Sequence, residues 1–397
     1  MTNVVIDSVF KSYGDVVAVR DLSLHCPDGA MIALLGPSGC GKTSTLKMLA
    51  GIEELSAGEI WFGDRPVSRL APAERNIAMV FEDYALYPHL TAYENIAFPL
   101  RIRGLSRDHI DRRVAQALDL LLLGDVRDER AGRLSGGAQQ RISIGRALVR
   151  DPELILFDEP LSHLDGDQKV QLRTEIKRLQ KTTGLTAVLV THDQTEAVAM
   201  SDLVAIMDEG VLQQVGPPED VYRHPANLFV AKFIGEPPMN LLPVDITQQG
   251  DALIMTGQAG WRMRLDGERA ARVVAATHSR QAILGIRPEH LALSEHRDGG
   301  EHRDGGGGMN RHPGRIWWRE RRGDVEVVFL NLLDASQTRA SGTEAAHEVV
   351  VEIASPSPFA EGAIVDAIFD PGSISLFDAV TGANLFAMSR SPSEVSL

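Results

Sequence analysis

The chain has 397 residues, 44% of them hydrophobic and 24% charged, with a formal net charge of −14. That length exceeds one ordinary core and predicts two or three domains, while the acidic balance argues against broad nonspecific binding to nucleic acid. Two cysteines, Cys26 and Cys40, make a structural disulfide a poor reading and fit a reducing cytoplasm.

Met1 to Phe10 alternates like a strand and lacks the basic and apolar regions of a signal peptide. The longest apolar runs, such as Leu120 to Leu123, fall far short of a membrane span, so other chains must supply any membrane-spanning part. Residues 3 to 35 read as short strands punctuated at Tyr13-Gly14-Asp15 and Pro27-Asp28-Gly29. Tyr13 stands ahead of the loop described next. An aromatic there has the shape to stack on a base, although half-buried packing is the commoner role of a lone tyrosine.

The apolar run Met31 to Leu35 leads into Gly36-Pro37-Ser38-Gly39-Cys40-Gly41-Lys42-Thr43, and Ser44 to Ala50 reads as a helix. Strand, glycine-rich turn and helix start together make an anion cradle. Glycines let the backbone curl so that its N–H groups face phosphate oxygens, and the helix N-terminus adds partial positive charge. Lys42 reaches the β- and γ-phosphates of a nucleoside triphosphate, and the Thr43 hydroxyl is placed to hold Mg²⁺. Cys40 lies in that electropositive turn, where a thiolate is favoured; the competing reading is an inert, space-filling thiol.

Gly58 to Phe62 and Ile77 to Phe81 read as strands, the second ending at Glu82. From Thr91 to about Leu123 the pattern is amphipathic and helical, with Ile110, Val114, Leu118 and Leu121 three or four apart, as in a helical insertion within an α/β core. Leu134-Ser135-Gly136-Gly137-Ala138 then opens a helix from Gln139 to Val149. Alone that is an ordinary N-cap; beside a phosphate loop it reads as a second anion site.

Two further apolar strands end in polar residues, as sheet chemistry at carboxyl ends requires. Leu154 to Phe157 ends in Asp158-Glu159-Pro160, and Ala187 to Val190 ends in Thr191-His192-Asp193. Asp158 suits ordering of Mg²⁺, often through water, and Glu159 suits proton abstraction from an attacking water. His192 alone would be a structural histidine, but at this strand end it reads as a γ-phosphate contact. Leu203 to Met207 and Val211 to Val215 form an expected hairpin, and proline-rich residues 216 to 243 read as a linker. Beyond it short β-like runs recur (Leu253 to Thr256, Ala282 to Ile286, Val325 to Leu330, Glu348 to Ile353, Ile374 to Phe377), predicting a small β-barrel domain. Within it Glu295 to Gly300 is repeated as Glu301 to Gly306 and followed by Gly307 and Gly308, a duplicated loop. A metal site from His296, His302 and His312 is the competing reading, but glycine-rich tracts hold ligands poorly.

Taken together these motifs resemble the ATP-binding subunit of ABC importers, within the subfamily serving sugar and sugar-phosphate uptake (maltose, sn-glycerol-3-phosphate and multiple-sugar systems). The resemblance spans essentially the whole chain, including Ile286-Arg287-Pro288-Glu289 and Leu376-Phe377-Asp378 near its end. It implies a P-loop, RecA-like nucleotide-binding domain at 1–235, with a helical subdomain at about 83–152. An all-β, OB-like (TOBE/MOP-like) regulatory domain at 236–397 would follow, with a glycine-rich insertion at about 294–312. It implies ATP and Mg²⁺ held by Gly36 to Ser44, with Thr43, Glu82 and Asp158 near the metal, Tyr13 on adenine, and Glu159, His192 and Lys42 catalytic. Ser135, Gly136, Gly137 and Asp165 would belong to the family's further nucleotide motifs. It further implies a head-to-tail homodimer, each ATP lying between the phosphate loop of one chain and Ser135 to Gly137 of the other. Closure would drive two integral membrane permease subunits, touched by Glu82 to His89, with an extracytoplasmic solute-binding protein engaged indirectly and no nucleic acid. The chain would sit peripherally on the cytoplasmic face of the inner membrane.

Three positions depart from the family's usual residues: Glu82 for Gln, Ala138 for Gln and His163 for Asn. Hydrolysis is still expected, since Lys42, Asp158, Glu159 and His192 remain. The competing readings are an importer ATPase for another solute (polyamine, iron or sulfate), a soluble non-transport ABC ATPase, and a nucleotide-gated subunit with little catalysis. The single cassette and acidic balance count against the soluble protein.

Overall fold

The structure, a computed structural model, describes residues 2–277, 279–296, 310–333 and 348–386. The chain forms two compact units, Met1–Val221 and Tyr222–Ser389.

The first unit begins with β1 (Val4–Tyr13), β2 (Val16–Cys26) and β3 (Met31–Leu35), then helix α1 (Lys42–Ala50). Strands β4 (Ala57–Phe62), β5 (Arg65–Pro66) and β6 (Ile77–Val80) follow, then helices α2 (Ala92–Ile102), α3 (Arg107–Leu120) and α4 (Gly136–Leu148). It closes with β7 (Leu154–Asp158), α5 (Gly166–Thr183), β8 (Thr186–Thr191), α6 (Gln194–Met200), β9 (Leu203–Asp208) and β10 (Val211–Gly216). One sheet runs in the order β2-β1-β4-β5 and the central one β10-β9-β3-β8-β7-β6. Strands β3, β8, β7 and β6 pair in parallel, as does β9 with β3. Every residue of β3 and of β8 is buried, which is what uninterrupted apolar runs covered on both faces produce. The consequence for chemistry is adjacency: β8 lies between β3 and β7, so three functional strand ends emerge side by side.

The helical stretch is divided where the sequence reading left it continuous. Gly104, at φ 71°, follows α2, and Ser106 then caps α3; a left-handed glycine is a common helix stop. Thr91 and Glu94 form a capping box at the start of α2, and Ile96, Leu100, Val114 and Ile142 are among the buried residues of this layer.

Residues 216 to 243 are not a bare linker. They contain helices α7 (Pro218–Arg223) and α8 (Leu228–Phe233). Ala231 of α8 clusters with buried Met239 and Phe377, so α8 belongs to the second unit and the contact boundary falls before residue 235. That unit continues with β11 (Asn240–Gln249), β12 (Ala252–Gly257), β13 (Arg262–Leu265), α9 (Gly267–Ala276), β14 (Gln281–Ile286) and β15 (Leu291–Glu295). Then come β16 (Arg311–Arg322), β17 (Val325–Leu332), β18 (Glu348–Ala354), β19 (Ile364–Phe369) and β20 (Ile374–Asp378). Two five-stranded sheets, β13-β12-β11-β14-β20 and β15-β19-β16-β17-β18, share one apolar core. All five predicted β runs lie within strands, whereas α9 was not foreseen. Most of the duplicated loop, including His302, lies outside the described residues.

Helix α1 carries the phosphate loop at its start, and its far end is fixed by Arg75. That guanidinium, 2% exposed, donates to the carbonyls of Met48 at 2.7 Å, Leu49 and Leu70 at 3.0 Å and Ser68 at 3.1 Å. It thus satisfies helix-end carbonyls that water does not reach. Arg75→Leu keeps the bulk and takes this donor from the Leu49, Leu70 and Ser68 carbonyls, while the Met48 carbonyl keeps the Gly51 N–H at 3.1 Å. It should destabilise the first unit by about 2–4 kcal/mol, read as a lower urea midpoint of the full-length chain.

Candidate nucleotide site

The turn between β3 and α1 is shaped by close backbone approach. Gly41, the α1 N-cap, has φ 101°, and a Cβ there would lie 2.5 Å from the Ala18 carbonyl oxygen. A Cβ on Gly36 would lie 2.2 Å from the Met207 carbonyl oxygen. Lys42 is buried, its ammonium donating to the Gly36 and Pro37 carbonyls at 2.8 Å each. Ser38, Gly39 and Thr43 are exposed. Tyr13 is 45% exposed. Its hydroxyl bonds to Glu53 and lies 3.4 Å from Ser44 Oγ, and Lys11 Nζ stands 4.6 Å from its ring centroid. The structure therefore joins Tyr13 to the helix that follows the loop. Glu53, forty positions away, left no local sequence signal.

The acidic pair ends β7. Asp158 has its pKa raised, first by burial and then by the charges of Glu159 and Glu82, with Lys47 opposing. Glu159 takes the left-handed backbone, φ 44°, and its N–H donates to the Val190 carbonyl at 2.9 Å. Its Oε2 lies 2.8 Å from His192 Nδ1 and accepts the Ser162 hydroxyl at 3.1 Å. Ser162 was not singled out in the sequence. Glu82 Oε1 and His163 Nε2 are 3.5 Å apart, so two of the three unusual positions face each other.

Thr43, Asp158 and Glu82 offer oxygen donors only, the set a hard divalent cation prefers. Among the described residues no three His, Cys, Asp or Glu side chains gather closely enough to hold a metal by themselves.

Ser135 caps α4, its Oγ accepting from the Ala138 N–H at 3.4 Å. Cβ atoms on Gly136 and Gly137 would approach Leu164, Tyr84 and Gln168, not the phosphate loop of the same chain. Asp165 is the N-cap of α5. Helix α4 also grips the segment after β6. Ser143 Oγ and Arg146 Nη2 both donate to the Tyr84 carbonyl at 3.0 Å, and Arg146 Nη1 to that of Ala85 at 2.5 Å.

The reactive reading of Cys40 is corrected, whereas the histidine trio is already the disfavoured reading of its loop. Cys40 is 3% exposed, and burial raises its thiol pKa although Lys42 acts in the opposite direction; the thiolate is disfavoured, and the space-filling reading holds. His296 pairs with Asp366 at 2.7 Å and buried His312 with the Leu333 carbonyl at 2.8 Å, so the two described histidines of the trio already have partners of their own.

A family model described as ABC transporter matches residues 19–162, and one described as MalK OB fold domain matches 235–291. The chain is 42% identical over 392 residues to the trehalose/maltose import ATP-binding protein MalK of Thermococcus litoralis, covering 97% of this chain and all of that one. It is 40% identical to the sn-glycerol-3-phosphate import ATP-binding protein UgpC of Cereibacter sphaeroides, covering 97% of this chain and 100% of that one. The structure of cbiO1 from Clostridium perfringens, part of the ABC transporter complex cbiONQ, superposes with a TM-score of 0.53 at 27% identity. It covers 56% of this chain and 90% of that one.

The Glu82 charge acts on Asp158, and the phosphates of a bound ATP would add to it. Glu82→Gln should lower the half-saturating MgATP concentration about two- to fivefold, measured by phosphate release. An unchanged value would mean that the Glu82 charge is not felt at the site.

Proposed function

From the premise that this chain belongs to the ABC transporter family as an import ATP-binding subunit and ATPase, we propose that it powers uptake of a sugar or sugar phosphate. The single observation that supports the chemistry best is the adjacency of three strand ends, with His192 Nδ1 2.8 Å from Glu159 Oε2.

In this reading the ATP phosphates take the Lys42 ammonium from the Gly36 and Pro37 carbonyls, and the N–H groups at the start of α1 face the same anion. Tyr13 stacks on adenine. Glu159 is the general base. Its Oε2 is steadied by His192 and Ser162, so Oε1 is the atom that accepts the proton of the attacking water. His192, on the neighbouring strand end, contacts the γ-phosphate. Thr43, Asp158 and Glu82 would hold Mg²⁺, which neutralises charge on the phosphates when bound.

No phosphate-loop atom lies within 4 Å of a Cβ placed on Gly136 or Gly137, which supports completion of each site by a second copy in a head-to-tail dimer, with Asp165 near that junction. Closure of the dimer on ATP and reopening after hydrolysis would move two permease subunits through the Glu82 to His89 segment. Among the described residues no helix is long and apolar enough to cross a membrane. A peripheral position on the cytoplasmic face, fed by an extracytoplasmic solute-binding protein, follows from this reading. The solute class is supported by the relatives, which are import ATP-binding proteins for trehalose/maltose and for sn-glycerol-3-phosphate. The second unit would serve regulation.

Glu159→Gln removes the base and keeps the shape. Hydrolysis should fall about a thousandfold, while MgATP should convert the variant into a stable dimer by light scattering. Captured from native membranes in MgATP, it should bring down two membrane subunits and a sugar-binding protein. Recovery of ribosomal or DNA-repair proteins without membrane proteins would overturn the importer reading.

A further inference from the structure

Glu196 is the only buried carboxylate among the described residues of the first unit, at 2% exposure, and no step above uses it. Burying an ionised carboxylate is costly unless it is paired and hydrogen-bonded. Both of its oxygens are engaged. Oε2 accepts the Thr191 hydroxyl at 2.7 Å, and Oε1 receives the Lys169 ammonium at 3.3 Å.

Thr191, itself buried, immediately precedes His192, and its Oγ1 also accepts the Asp193 N–H at 3.0 Å. One hydroxyl therefore clamps the backbone on both sides of His192. Asp193 Oδ1 in turn accepts the N–H groups of Thr195 at 2.8 Å and Glu196 at 3.2 Å, closing a ring of bonds around that residue. The His192 side chain is 58% exposed, so the direction it takes toward Glu159 depends on the backbone it stands on.

Lys169 extends the network into α5, one turn beyond the Asp165 N-cap, and also lies 3.8 Å from Asp193 Oδ2. The other end of α5 is tied separately, with Lys177 and Lys181 each 2.9 Å from Asp202 Oδ1. Glu196, together with Asp193, thus ties the Asp165 end of the helix.

We propose that Glu196 is a positioning residue. Through Thr191 it sets the direction of His192, and through Lys169 it couples that direction to the first turn of α5. The inference rests on the reading of His192 as the partner of Glu159 and the γ-phosphate. Without the carboxylate the Thr191 clamp loses its anchor, His192 leaves Glu159 Oε2, and hydrolysis slows. The phosphate loop and Tyr13 stand on other elements, so nucleotide affinity is kept.

The test is steady-state hydrolysis by the full-length chain carrying Glu196→Ala, Lys169→Met, Lys169→Arg, His192→Ala, or Glu196→Ala with His192→Ala. Glu196→Ala should lower kcat about 10- to 100-fold with half-saturating MgATP within about twofold of the parent. Lys169→Met leaves the Thr191 bond in place and guards against loss of folding in the first variant; it should show a smaller fall of the same kind, restored by Lys169→Arg. The double variant should be no slower than His192→Ala, because both changes remove one function. Parental kcat in Glu196→Ala and Lys169→Met, or additive losses in the double variant, with His192→Ala impaired, would overturn the positioning role alone. Parental kcat in His192→Ala would overturn the underlying site reading.

Discussion

One backbone hydrogen bond, from the Glu159 N–H to the Val190 carbonyl at 2.9 Å, fixes the chemistry of this site. It extends the parallel pairing of β7 with β8 one residue past Asp158, whose register partner is Val190. The chain must then leave the sheet at once, and Glu159 does so at φ 44°. A non-glycine residue in that region costs on the order of 1–3 kcal/mol and persists only where its surroundings over-determine it. Here they do: the N–H is held by β8, and the carboxylate by Ser162 and His192. The reward is direction, because the carboxylate faces the neighbouring strand end instead of following β7 outward.

The strands that matter were legible because their burial is simple. Doubly covered parallel strands need unbroken apolar runs, so β3, β7 and β8 could be read with the polar residues at their ends. The phosphate loop was legible because glycine placement there answers to sterics; Met207 and Ala18 leave no room for a Cβ at Gly36 and Gly41. What escaped reading is what depends on distant partners. Nothing local to Tyr13 announces Glu53, and nothing in residues 216 to 243 announces that Phe377 will cover Ala231. Cys40 stays ambiguous in the sequence for a related reason: position in a turn predicts the field of Lys42 and the helix, but burial opposes and outweighs it.

The second unit shows the same division between pattern and partner. Alternation marked its strands, whereas the joining of its two sheets depends on single residues. Asn240 on β11 gives Nδ2 to the Val350 carbonyl at 2.8 Å and takes the Val350 N–H on Oδ1 at 2.7 Å. A side-chain amide there imitates one rung of a ladder to β18. Trp261 stacks on Phe369 with centroids 5.1 Å apart, filling the shared core from opposite sheets. Neither pairing has a period, so neither is visible in a one-dimensional pattern.

The segment after β6 links charge to mechanics. Its second residue, Glu82, adds to the rise in the Asp158 pKa that burial and Glu159 begin. Two residues on, Tyr84 and Ala85 adopt left-handed backbone and give their carbonyls to Ser143 and Arg146 of α4. Burial lowers the pKa of Arg146, yet a guanidinium stays charged and holds both carbonyls at once. The segment is thus tied by α4 at Tyr84 and Ala85, two and three residues after the carboxylate that acts on Asp158. Under the importer reading, α4 begins at the Ser135 cap that the partner's nucleotide meets. A change in charge at one site and contact with the other nucleotide would then bear on the same eight residues, Glu82 to His89, those that would face the membrane subunits.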